Sequence, residues 1–138
     1  MGDDERRQFL RAPARPAVLS TVRAGGRPHG APIWYALDGD VMVFTTAATT
    51  VKGRNIRRDP RVSLCVQDDR PPFSFVVVEG RAELSDDPGE VRHWATVIGG
   101  RYMGDDRAEE YGARNGVPGE LVVRVTPVRV TSAADVAG

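Results

Sequence analysis

Apolar and polar residues alternate in short bursts along most of the chain, and turn chemistry punctuates the bursts. The run PAVLSTVR (16–23) is rich in small and β-branched residues and leads into AGGR, whose glycine pair is of the kind that closes a hairpin. PHGAPIWYAL (28–37) ends at Asp38-Gly39-Asp40, a tight-turn signal, and VMVFTT (41–46) follows as its partner. These three runs predict an antiparallel meander. RVSLCVQD (61–68) then leads to the loop DDRPP, and the longer FSFVVVEGRAEL (73–84) carries Gly80, which predicts a bulge or bend. GELVVRVTPVRVTS (119–132) predicts a closing strand pair or one bent strand.

The period changes over 49–59. Val51 and Ile56 fall on roughly one side of a helical wheel, while Lys52, Arg54, Asn55, Arg57 and Arg58 fill most of the rest, so a short helix with a cationic surface is predicted. Thr49 or Thr50 can cap it, and Asp59-Pro60 ends it because a residue before proline is pushed out of the α region. Asp87-Pro88 reads as an N-cap with proline in the first turn of a helical region through about Ile98. GGRYMGDD interrupts that region, and DRAEEYGARN predicts a second short helix. Nothing repeats and nothing has a linker's composition. Residues 1–138 therefore read as one domain, mainly β with short flanking helices, whose roughly six strands suit a small antiparallel barrel, closed or split.

Composition narrows the functions open to such a barrel. Lys plus Arg and Asp plus Glu each sum to 19, so the formal charge is zero and neither a polyanion nor nucleic acid is an expected partner. The apolar runs fall far short of a membrane span, and the start MGDDERRQFL mixes acidic and basic residues, so the chain reads as cytoplasmic with no membrane partner. Cys65, the single cysteine, reads as a small core residue and excludes an intramolecular disulfide or a Cys-rich zinc site. His29 and His93 lie too far apart in sequence to form a ligand-spaced pair, which disfavours metal hydrolysis.

One residue breaks the composition. Every other basic position is Arg, yet the helix over 49–59 begins with Lys52, preceded by Thr45, Thr46, Thr49 and Thr50. A helix N-terminus favours anions, and hydroxyls, an ammonium and the amide of Asn55 around it make a plausible phosphate cradle. The alternative is a solvated helix face that happens to be basic.

The stretch TTAATTVKGRNIRRDPRVSLCV (45–66), followed by VVVEGRAEL (76–84), resembles the split β-barrel flavin and deazaflavin oxidoreductases related to pyridoxamine phosphate oxidase. FLRAPARPAVLSTVRAGGRPHGAPIWYAL is similar to that family's first helix and first two strands, so the resemblance covers nearly the whole chain. It implies a six-stranded antiparallel split barrel. Within the superfamily the chain looks most like the short actinobacterial branch that uses coenzyme F420, a deazaflavin with a phospholactyl and oligoglutamate tail.

The resemblance also implies roles. Lys52, Asn55 and Thr50 would contact the cofactor phosphate, and Thr45 and Thr46 would sit beside the ring or its ribityl chain. His29, Pro32, Ile33 and Trp34 would line the ring edge, with Arg54, Arg57 and Arg58 giving a field for the tail. Relatives are homodimers with cofactor sites between subunits, which would let Phe73 reach the partner's site. The implied reaction is hydride transfer from the reduced deazaflavin to a conjugated, electron-poor small molecule, with no dedicated acid or base named.

Two departures bear on the cofactor. Many flavin-using relatives carry R-x-x-K where this chain has Thr49-Thr50-Val51-Lys52, leaving the phosphate to one Lys plus neutral donors; FMN is the alternative cofactor. The C-terminal Arg/His substrate motif of pyridoxamine phosphate oxidases is missing, so vitamin B6 is not an expected substrate. A non-catalytic cofactor carrier, or a haem protein ligated by His29 or His93, is the alternative from a different class.

Overall fold

The computed structural model describes residues 1–137. In chain order it contains α1 (Asp3–Arg11), β1 (Ala17–Val22), β2 (Pro28–Ile33), β3 (Ala36–Asp38) and β4 (Val41–Ala47). Then come α2 (Val51–Arg58), β5 (Arg61–Gln67), β6 (Phe75–Ser85), α3 (Pro88–Met103), a 3-10 turn over Asp105–Arg107, α4 (Ala108–Asn115) and β7 (Glu120–Ala133). No helix among the described residues is long and apolar enough to cross a membrane.

All strands join one sheet in the order β2-β1-β5-β6-β7-β4-β3, and every pair is antiparallel. The sheet has seven strands where the sequence predicted six, because Trp34 and Tyr35 break the run 28–37 into β2 and β3. The reason is local. The Tyr35 backbone N–H leaves the ladder to donate to the Tyr102 hydroxyl (3.3 Å), and its own hydroxyl donates to the Leu10 carbonyl (2.7 Å) with the ring fully buried.

That break sets the shape of the sheet. Strands β2 and β3 are its two ends, and a flat sheet would hold them six intervals of about 4.8 Å apart, yet the chain from Ile33 to Ala36 spans at most about 11 Å. The sheet must curl until its ends nearly meet. No ladder among the described residues joins β2 to β3, so the result is a barrel split at that seam.

Period-2 burial along the strands fills the barrel. Ala17 and Leu19 of β1, Leu64 and Val66 of β5, Val76 and Val78 of β6, Val123 and Val125 of β7, and Met42 and Phe44 of β4 form one core with Tyr35, Ile56 and Leu10. Helix α1 lies over one end, its last carbonyls held by side chains: Arg101 donates to Leu10 (2.8 Å), and Arg15 to Phe9 (2.9 Å). Outside the barrel, Ala36, Val43 and Val122 pack beneath Val91, Trp94 and Ile98 of α3 in a second apolar cluster.

Several local expectations change. Helix α3 continues through Gly99 and Gly100 to Met103 instead of ending near Ile98. The glycines are a helix contact: a Cβ at Gly99 would lie 2.4 Å from Tyr111 Cβ on α4. Two others hold: the final run is one strand, β7, which pairs with both β6 and β4, and the register shifts at Glu79/Gly80 where a bulge or bend was predicted. Cys65 is half-buried on the outer face of the sheet, not in the core, and burial pushes its thiol pKa up. On α2, Ile56 is buried but Val51 is exposed, and Asn55 takes an inward position.

Candidate functional site

Strand β4 ends in Thr45-Thr46-Ala47, and the chain turns at once into α2. Thr50 is the N-cap: its hydroxyl accepts from the Gly53 N–H (3.1 Å) and donates to the Ala47 carbonyl (2.9 Å). Thr46 Oγ1 lies 2.9 Å from Thr50 Oγ1 and completes the cap. The first turn of α2 can press against the strand end only because residue 53 is glycine, since a Cβ there would lie 2.4 Å from the Ala47 carbonyl oxygen. This seats Lys52 beside the end of β4.

An open cleft of about 510 Å³ lies at that point. Pro32, Ile33 and Trp34 at the barrel seam form one wall; Thr45, Thr46, Thr50 and Lys52 form the other; Pro16, Ile98, Asn115 and Glu120 complete it. Its size and mixed lining suit a ligand of cofactor dimensions. The Trp34 indole is 40% exposed and stacks on Tyr102 at 4.8 Å between centroids and 3° between planes. Tyr102 is fixed in turn, donating its hydroxyl to the Arg15 carbonyl (2.7 Å). A rigid aromatic surface therefore faces one side of the cleft and a cation the other.

The charges in the cleft are few. Lys52 is half-buried and makes no hydrogen bond or ion pair among the described residues, so its ammonium is unspent. Glu120, the first residue of β7, is the charge it faces: burial pushes the Glu120 carboxyl pKa up, and Lys52 pulls it part of the way back.

Of the residues singled out from the sequence, Pro32, Ile33, Trp34, Thr45, Thr46, Thr50 and Lys52 come together in this cleft. Asn55, His29 and Phe73 are not among its lining residues. The Asn55 side chain is spent inside the protein, donating to Thr21 Oγ1 (3.0 Å) and accepting from Arg58 (3.1 Å). His29 sits on β2 opposite Thr21, its Nδ1 buried without a partner, and Phe73 lies in the β5–β6 loop with φ 63°. Arg58 is committed to the Val22 carbonyl (2.7 Å), while Arg54 and Arg57 are exposed. His93 is exposed on α3, in edge contact with Trp94 and away from the cleft lining.

Sequence reasoning missed Glu120, Asn115, Ile98 and Tyr102. The first three reach the cleft, and Tyr102 reaches the Trp34 ring behind it, through long-range packing of β7, α3 and α4, which no local spacing encodes. Glu120 in particular arrives through the pairing of β7 with β4, where its partner is Ala47.

Comparison with known proteins places this geometry. A family profile described as pyridoxamine 5'-phosphate oxidase matches residues 3–133. Among solved structures, the chain is similar to the hypothetical protein Rv2991 from Mycobacterium tuberculosis, with 28% identity and a TM-score of 0.83 over 96% of this chain and 84% of that one. It is also similar to an F420 reductase, at 28% identity and a TM-score of 0.72 over 91% and 94% of the two chains. A FAD-binding protein from Mesorhizobium loti is alike in fold alone, at 22% identity and a TM-score of 0.72 over 96% and 94%.

Proposed function

The chain belongs to the pyridoxamine 5'-phosphate oxidase family, and on that premise we propose that its cleft binds coenzyme F420 and that the protein is a reductase. It passes a hydride from the reduced deazaflavin to a conjugated, electron-poor small molecule. At the family level the reading is an oxidoreductase with a flavin-type cofactor. Similarity to an F420 reductase supports the deazaflavin over FMN.

The observation that carries the reading is the unspent ammonium of Lys52 sharing one cleft with the stacked indole of Trp34. A phosphate and a flat ring are the two parts such a cleft can hold at once. Lys52 would take the phosphate as a charge-assisted bond, Thr45 and Thr46 would lie along the hydroxylated chain, and Trp34 with Ile33 and Pro32 would hold the ring. Thr50 and Asn55 then act by fixing α2, since both side chains are engaged within the protein. When bound, the reduced cofactor supplies both electrons as a hydride. The residues of the chain orient it, keep water from the face held against the seam and leave its other face open for the acceptor.

We further propose that a second copy of the chain completes the site. The outer face of β1, β5 and β6 carries Val18, Cys65 and Val77 in register, with Val18 50% exposed. The helix packed on the outside of the barrel, α3, lies over β3, β4 and β7, away from this stripe. This apolar strip in register across three strands supports a homodimer, with Phe73 directed toward the partner.

The test is a paired titration with oxidised F420 and with FMN at matched salt. Tighter binding of F420 is the expected result, and preference for FMN would move the protein to the flavin-using part of the family. Binding of neither would sink the cofactor reading. Lys52→Ala is expected to weaken F420 binding by about 1.5–3 kcal/mol while leaving the circular dichroism spectrum unchanged.

A further inference from the structure

The cleft holds one carboxylate that the assignment above does not use. Glu120 opens β7 directly across from Ala47, so its position is fixed by the same ladder that presents Thr45 and Thr46. It is half-buried and lines the cleft with Lys52, yet no ion pair joins the two side chains among the described residues. Both charges therefore face the ligand space rather than neutralising each other in contact. Glu120 also borders an adjoining pocket of about 330 Å³, where Arg57 of α2 and Asp86 from the β6–α3 connection bring one charge of each sign.

We propose that Glu120 sets the charge of the phosphate the cleft accepts, favouring a phosphodiester monoanion over a phosphomonoester dianion. The proposal rests on the cofactor reading of the preceding subsection and adds the residue that makes the choice. A phosphomonoester carries close to two negative charges at neutral pH, its second pKa being about 6, whereas a diester carries one. Removing an anion from water costs roughly in proportion to the square of its charge, but the attraction that repays the cost grows only linearly. Beside a lone lysine the dianion still recovers much of the difference. Beside Lys52 and an ionised Glu120 the net field is weak, so the monoanion is accommodated more readily than the dianion. The raised pKa of the carboxyl is consistent with its desolvated position facing the cleft.

Two probes with the same ring isolate the effect: FMN, and the methyl phosphodiester of riboflavin 5'-phosphate. At pH 7.5 the wild-type protein is expected to bind the diester about tenfold more tightly than FMN, and Glu120→Gln is expected to cut that preference to about threefold, chiefly by tightening FMN. An unchanged ratio in Glu120→Gln, or no preference in the wild type, overturns the proposal. Lys52→Ala titrated with F420 separates the two levels of failure. If it loses affinity while Glu120→Gln leaves the ratio alone, the phosphate site stands and only the role of Glu120 falls. If it binds F420 as the wild type does, or the wild type binds none of the probes, the phosphate site and the proposal fall together.

Discussion

Tyr35 shows how much one side chain settles at the residue scale. Its ring fills the barrel end, its hydroxyl holds the Leu10 carbonyl, and its backbone N–H breaks the strand. Burial pushes its phenol pKa from 10.0 up to about 12, with the Arg101 guanidinium pulling the other way. The folded state thus retains a proton that the unfolded chain releases, so this contribution is intact below pH 10 and is lost as pH climbs toward about 12. Urea melts at rising pH should show that decline in the wild type and a shallower one in Tyr35→Phe; parallel declines would deny Tyr35 the effect. Asn55 gives a second case. Asn55→Ala leaves the buried Thr21 hydroxyl without its donor and should cost about 1–3 kcal/mol in urea unfolding. The sequence marked Asn55 as a phosphate contact, and its commitment to Thr21 was invisible because the two residues are far apart along the chain.

Helix α2 was legible from its ends. The cap and the stop at Asp59-Pro60 are local chemistry: the structure ends the helix at Asp59 as expected and takes Thr50 of the two candidate caps, Thr49 and Thr50. The start of α3 at Asp87-Pro88 was legible in the same way, but its end was not, because a Gly-Gly pair reads locally as a breaker while here it makes room for a neighbour that only the tertiary fold supplies. Gly99→Ala tests this reading of the contact. An added methyl must displace Tyr111, so the variant should lose about 1–3 kcal/mol of stability, the cost of overpacking, despite alanine's better helix propensity. A gain in stability would show that α4 can yield. The strand runs were legible by alternation, but their partners were not: the pairing of β7 with both β4 and β6 depends on contacts between distant segments.

At the scale of the whole molecule, the antiparallel barrel was readable from run spacing and turn chemistry together with the family resemblance. The seventh strand was not, because an apolar run with no turn signal gives no reason to stop at Ile33. The break belongs to tertiary contacts made by Tyr35. Dimerisation is argued at this scale too, from the outward stripe around Val18. Light scattering should give twice the mass of one chain, and Val18→Asp should shift the protein toward monomer while its secondary structure is kept. A wild-type monomer that binds F420 at full affinity would contradict a site shared between subunits.

The seam between β2 and β3 has a consequence for the timing of motions. These two strands each hold on to the sheet by a single neighbour, and the crossover that links them also forms a wall of the cleft. Amide protons there should exchange with solvent sooner than those of β5 and β6, which are paired on both sides. A ligand lodged against Pro32, Ile33 and Trp34 bridges the gap that the backbone leaves open. Occupancy would then be recorded as a slowing of deuterium uptake along two short strands, even for a molecule that is never turned over.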